Sequence, residues 1–190
     1  MGLGWGMRMR AILRRITAIA LLVGLTGWGP VAANSSPRSP EYLIKAAYLY
    51  NFAMFVDWPP RAFASPDSPI VLGIVGRDPF GWVLDQTVEN KRISKRRITI
   101  ERLQPQQDLT HCQILFIDQS EGARVADLAQ RLHDLPILIV DDAVDGGRRG
   151  GAIDFIVNDN RVGFAINRNA ARRAGLTISS KMLGLARAVR

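Results

Sequence analysis

Three aspartates stand where a sheet protein can do chemistry. Asp118 follows the apolar run Ile114-Leu115-Phe116-Ile117, and Asp141 and Asp142 follow Ile137-Leu138-Ile139-Val140. Runs that are apolar at every position suit the middle of a parallel sheet, and open parallel sheets bind ligands outside the carboxyl ends of their strands. Close by in this reading lies Gly76-Arg77-Asp78-Pro79-Phe80-Gly81, where a strand meets a helix N-terminus. The free N–H groups and positive dipole end of such a terminus attract anions, and Arg77 adds a planar fork of donors. Gly76, Arg77, Asp78, Asp118 and Asp141 are therefore the candidate ligand-binding residues. The same residues also admit a structural reading, with Asp78 as a simple helix cap and the other acids capping the turns that follow them.

An enzyme would need more than this. His111 and His133 are far apart in sequence, and neither has a second ligand at metal spacing. There is no Gly-x-Ser-x-Gly elbow, no phosphate loop and no Cys/His pair with an orienting third group. The turn Gly146-Gly147-Arg148-Arg149-Gly150-Gly151 precedes a strand rather than a helix, which suits a flexible turn better than a phosphate cradle. No catalytic residue, metal or cofactor is expected. Cys112 is the single cysteine, so no intramolecular disulfide can form, and its place before Ile114 suits a small half-buried apolar residue.

The elements that position these residues begin after a segment of different composition. Arg8, Arg10, Arg14 and Arg15 lead into the apolar run Ile16 to Leu25, followed by Gly27-Trp28-Gly29-Pro30 and then Val31-Ala32-Ala33. That order of basic, apolar and small-residue regions is the order of a secretory signal peptide. Residues 1–33 are read as the signal, with cleavage after Ala33. A membrane anchor would need roughly 20 apolar residues, about twice what the run supplies, so no integral membrane segment is expected after cleavage. The four arginines account for half of the formal net charge of +8. What remains is a mild positive excess, which is no nucleic-acid footprint.

Residues 34–40 form a polar, Pro-punctuated tail, and 41–190 a single domain. From Glu41 to about Phe55, Leu43, Ala46, Ala47, Leu49, Tyr50, Ala53 and Met54 recur at helical spacing, widened by Tyr42, Phe52 and Phe55. The spacing predicts a mostly buried helix, ended by Trp58-Pro59-Pro60. Strands are expected at Ile70 to Val75, Arg97 to Leu103, Ile114 to Ile117 and Ile137 to Val140. Helices open at Asp78-Pro79 and at a Ser120 cap. Ala152 to Val157 and Val162 to Ile166 form an antiparallel hairpin, followed by a helix near Asn169 to Ala174, a Gly175 stop, a brief extended piece Leu176 to Ile178, and a closing helix capped by Ser179 or Ser180. Strands alternating with helices predict an α/β domain of three layers: a central, mostly parallel sheet flanked by helices, with a C-terminal antiparallel hairpin.

Four segments then carry a resemblance. They are Tyr42 to Phe52 ending in Val56-Asp57-Trp58-Pro59; Gly76 to Gly81; Cys112 to Ile117 with Ser120-Glu121; and Gly150-Gly151-Ala152-Ile153 through Asn160-Arg161-Val162 and Ile166-Asn167 to Ala174-Gly175-Leu176-Thr177-Ile178-Ser179-Ser180-Lys181. With these the chain resembles the YfiR/HmsC-like family of small periplasmic regulators over nearly all of residues 34–190. The resemblance implies a periplasmic protein, not an enzyme, that restrains an inner-membrane diguanylate cyclase by binding its periplasmic sensor portion. That restraint would lower cyclic di-GMP signalling and biofilm formation. It also leaves room for a homodimer, while the disulfides of the family's best-known member have no counterpart beside a lone Cys112. The contact surface is expected at Asn160, Arg161, Arg168, Arg172 and Arg173, since arginine is favoured at interfaces. A small-ligand sensor or carrier that uses the strand-end mouth is the alternative.

Overall fold

Helix α1, Glu41–Phe55, contains no helix breaker and runs fifteen residues. It ends where Val56 turns extended, before Trp58, because the chain there enters a two-residue strand, β1 (Val56–Asp57). Pro59-Pro60 instead opens a single turn of tighter 3₁₀ helix, Pro60–Ala62. The computed structural model describes residues 37–142, 150–159 and 161–190; the expected signal segment and most of the Gly146 to Gly151 turn lie outside them.

The order continues with β2 (Ile70–Val75), α2 (Trp82–Val88), β3 (Arg92–Ile93), β4 (Arg96–Leu103), β5 (Ile114–Ile117), a 3₁₀ stretch (Gln119–Arg124), α3 (Val125–Arg131), β6 (Leu138–Asp141), β7 (Ile153–Asn158), β8 (Arg161–Ile166), α4 (Arg168–Arg173), β9 (Thr177–Ile178), α5 (Ser180–Leu185) and β10 (Ala188–Val189). Among the described residues one eight-stranded sheet runs β10-β8-β7-β6-β5-β2-β4-β3. Its centre, β4-β2-β5-β6-β7, is parallel, whereas β7 with β8 and β3 with β4 are antiparallel pairs. This is the expected α/β architecture with a mostly parallel sheet.

Alternation along the strands sends side chains to two faces. Leu72, Ile74, Ile114, Phe116, Leu138 and Val140 pack with α1 and α2, and Val71, Val75, Leu115, Ile117 and Ile139 pack with Val125, Leu128 and Ala129 of α3. The sheet is thus the middle of three layers.

Several local expectations are corrected. Asp78-Pro79 does not start α2: the Asp78 carboxylate accepts N–H bonds from Phe80 and Gly81 in a turn, and the helix begins at Trp82. Ser120 is not the cap after β5; Asp118 is, accepting from the Ser120 backbone N–H. Helix α1 is only half buried, since Leu43 and Met54 point to solvent while Lys45 lies inside. The hairpin holds, with Asp159 in the left-handed region at φ 49° where its turn requires it. Gly175 ends α4 at φ 72°, and Ser179 caps α5. The brief extended piece at Leu176 to Ile178 holds as β9, which pairs with β1; β1, β3 and β10, the last added to the sheet edge beside β8, were not expected.

Candidate functional site

The parallel strands bring their carboxyl ends to one edge, and with them most of the acids singled out by sequence. Asp118 follows β5, Asp141 closes β6, Asp142 follows it, and Asp154 stands opposite Asp141 on β7. All four are buried. Gly76 follows β2 with φ 95°, and a Cβ there would come within 2.7 Å of the Glu121 side chain and 3.1 Å of Ser120 Oγ. The glycine lets the loop after β2 lie against the loop after β5. Arg77 is exposed at this junction, its backbone N–H 3.5 Å from Ser120 Oγ.

The groups that meet these acids come from the chain itself. The Arg38 guanidinium grips Asp118 with both nitrogens, Nη1 donating to Oδ1 at 2.9 Å and Nη2 to Oδ2 at 3.4 Å. The Arg38 backbone N–H donates to Pro79 O, which holds the tail across the mouth. On α1, Tyr42 donates its hydroxyl proton to Asp142 Oδ2 at 2.7 Å, and Lys45 Nζ donates to Asp142 Oδ1 at 2.5 Å and to Glu41 Oε1 at 3.0 Å. Lys45 is 1% exposed and Asp142 2%, so this pair is desolvated. On the far side Arg190 donates to Asp154. Asp78 leaves the group: its second oxygen accepts from Arg102 Nε at 2.9 Å, and Arg102 also holds Asp85.

The two central acids titrate in opposite directions. Burial works to raise Asp118, but hydrogen bonds from Arg38 and Ser120, together with the Arg38 charge, hold it below the usual carboxylate value. Burial pushes Asp142 above that value, and Lys45 and Tyr42 pull it back without cancelling the effect. Tyr42 is raised by burial and by the neighbouring Asp142 charge. The arrangement is an internal lock of opposite charges, suited to holding α1 and the tail against the sheet.

Sequence reasoning missed Arg38, Tyr42 and Lys45. A signal was present, because Arg38, Tyr42, Lys45, Leu49 and Phe52 recur at helical spacing, and a lysine on the buried stripe of a helix demands an acid partner. The arginines proposed for partner contact are spread out. Arg161, Arg168, Arg172 and Arg173 are all exposed. Arg161 starts β8, though, while Arg168 follows its other end, a strand length of about 17 Å away. Arg168 and Arg172 line a hollow of about 220 Å³ with Leu176, Ile178 and Leu183; Arg173 borders a different one beside His133. Asn160 lies outside the described residues.

Cys112 is buried under β2, and burial, followed by the charges of Glu101 and Asp108, pushes its thiol up to about 12. The exposed His111 lies 3.9 Å from the sulfur and turns to Glu101 at 2.9 Å. A thiol that is neither ionised nor accessible reacts slowly. Folded protein should therefore leave Cys112 untouched by an aromatic disulfide reagent at neutral pH, and urea-unfolded protein should titrate fully. Rapid labelling without denaturant would contradict this placement.

Residues 42–187 match the profile of the YfiR/HmsC-like family, a span that takes in Tyr42, Lys45, Asp118 and Asp142. The chain belongs to the YfiR/HmsC-like family. No curated protein matches it by sequence. Membership of the YfiR/HmsC-like family implies, in general terms, a regulatory and non-catalytic periplasmic protein acting on diguanylate cyclase signalling. Among the described residues no cluster of His, Cys, Asp and Glu could hold a metal ion, and no helix is long and apolar enough to cross a membrane.

Proposed function

We propose that the chain, cleaved after Ala33, restrains an inner-membrane diguanylate cyclase by binding its periplasmic sensor portion and holding it inactive. The observation that carries this reading is the family match over residues 42–187. The strand-end mouth supports it from another side, since Asp118 and Asp142 engage Arg38 and Lys45 of the same chain. A carrier would use those groups for cargo. Restraint of this kind is a population shift: taking a cyclase from almost wholly active to almost wholly inactive needs a preference of about 5.5 kcal/mol for the inactive state.

The contact surface is proposed on the hollow flanked by Arg168 and Arg172, where exposed guanidinium groups border Leu176 and Ile178. Deleting the gene should increase cellular cyclic di-GMP and biofilm mass, and restoring it should reverse both. Unchanged cyclic di-GMP in a strain that expresses the cyclase would reject the repressor reading. Full repression by an Arg168→Glu, Arg172→Glu variant would reject only this surface.

A further inference from the structure

Among the described residues, helix α1 presents to solvent a face that no other element covers. At about 100° per residue, Tyr42, Lys45, Ala46, Leu49, Phe52 and Ala53 fall on the buried side. Leu43, Ile44, Ala47, Asn51 and Met54 fall on the other. Leu43 is 48% exposed, Ile44 47% and Met54 43%. A helix at a protein surface ordinarily turns charged residues outward; within this arc the polar side chain is Asn51, and there is no charge.

Positive charge borders the strip on both sides. Tyr50 and Phe55 mark its two margins. Lys91 Nζ lies 4.4 Å from the Tyr50 ring centre, and Lys181 Nζ 5.2 Å from that of Phe55. Beyond Lys91 the β3–β4 hairpin adds Arg92 and Arg97 beside the exposed Trp82, in a groove of about 780 Å³. Among the described residues no carboxylate pairs with Lys91, Arg92, Arg97 or Lys181. Of the nearby acids, Glu41 holds Lys45 and Asp85 holds Arg102, while Glu89 shares the groove with Lys91, Arg92 and Arg97, which leaves the groove with an excess of positive charge.

We propose that this face docks on an anionic phospholipid surface, with Leu43, Ile44 and Met54 entering the headgroup boundary and Lys91 and Lys181 meeting lipid phosphates. An apolar helix face with lysines at its edges and a neighbouring tryptophan has the chemistry of an interfacial contact. The charges also select against a second copy, because docking two such faces would set lysine margins against lysine margins. This inference goes beyond cyclase restraint and needs no cyclase for its test.

The test is co-sedimentation of protein recovered from the periplasm with vesicles of phosphatidylethanolamine and phosphatidylglycerol, compared with vesicles of phosphatidylcholine alone. Binding should favour the anionic vesicles and weaken as salt is raised. It should drop about tenfold or more in Lys91→Glu, Lys181→Glu protein and in Leu43→Ser, Met54→Ser protein. All four positions are at the surface, so circular dichroism should show both variants folded. Equal or absent binding to the two vesicle types, or undiminished binding by both folded variants, would overturn the proposal. So would a concentration-dependent dimer, seen by light scattering, that the Leu43→Ser, Met54→Ser variant abolishes; that result would assign the face to a second copy.

Discussion

Lys45→Met protein should lose roughly 3–5 kcal/mol of stability at neutral pH, the cost of breaking a buried ion pair by removing one partner. Methionine fills much the same volume, so the loss reports the charge rather than a cavity. Lys45 and Asp142 are both within the core, and the Tyr42 hydroxyl alone would remain to stabilise the carboxylate. Its folded-state value is already raised by burial, and it must rise further without the ammonium. A carboxyl with a raised folded value binds its proton more tightly folded than unfolded. Stability therefore increases as pH falls through the folded value, and the gain is complete near the unfolded value of about 3.9. The variant should recover part of its loss as the pH is lowered from neutral to about pH 5, still above the ordinary carboxylate values. Measurement should stop there, because Asp118 is lowered in the folded state and its contribution is lost in stronger acid. Urea titrations followed by tryptophan fluorescence give both numbers. A Lys45→Met, Asp142→Leu double variant should regain most of the stability, as apolar replacement of a whole buried pair does. A single variant within about 1 kcal/mol of the parent, or one with no such pH response, would show that the lock contributes little.

Phe155→Ala should be comparably damaging but indifferent to pH in the same range. Phe155 sits on β7, buried between α1 and the sheet, with ring centres 5.7 Å from Phe52, 6.1 Å from Tyr48 and 6.4 Å from Phe116. Truncating a buried phenylalanine removes its transfer energy and leaves a cavity that the surrounding rings cannot close, typically about 3–5 kcal/mol in all. Phe155→Leu, which fills most of the space, should cost about 1–2 kcal/mol. The two denaturation midpoints check this ordering. Equal midpoints for the alanine and leucine variants would mean that the cluster repacks.

Much of this fold was legible because its strands declare themselves. Ile70 to Val75 and Ile114 to Ile117 are apolar at every position, and both became central parallel strands with the boundaries read from sequence. Asp118, Asp141 and Asp142, which follow the apolar runs from Ile114 and Ile137, were placed at the mouth for the same reason, whereas Asp78 was not kept there. What could not be read were pairings made by distant residues. Arg38 looks like part of a polar tail until Asp118 is brought over it from eighty residues away. In α1 the apolar residues run almost all the way round, so periodicity could not say which side turned inward; Lys45, the least apolar candidate, was the answer. β1, β3 and β10 are two residues each, too short to carry an alternation, and exist only because partners await them.

The pairing of β1 with β9 joins Val56 to Ile178 and Asp57 to Thr177, and Ser179 N–H donates to Phe55 O beside it. This clasp links the end of the first helix to the start of the last, across nearly the whole domain. Contacts of such long separation in sequence form late, because the intervening chain must be ordered before they reward its closure. For a polypeptide threaded through a narrow pore N-terminus first, α1 would emerge long before the residues that fasten it. Its apolar outer face and its buried lysine would stand exposed together for the whole transit, which makes the nascent chain slow to fold and a natural client for a holding chaperone.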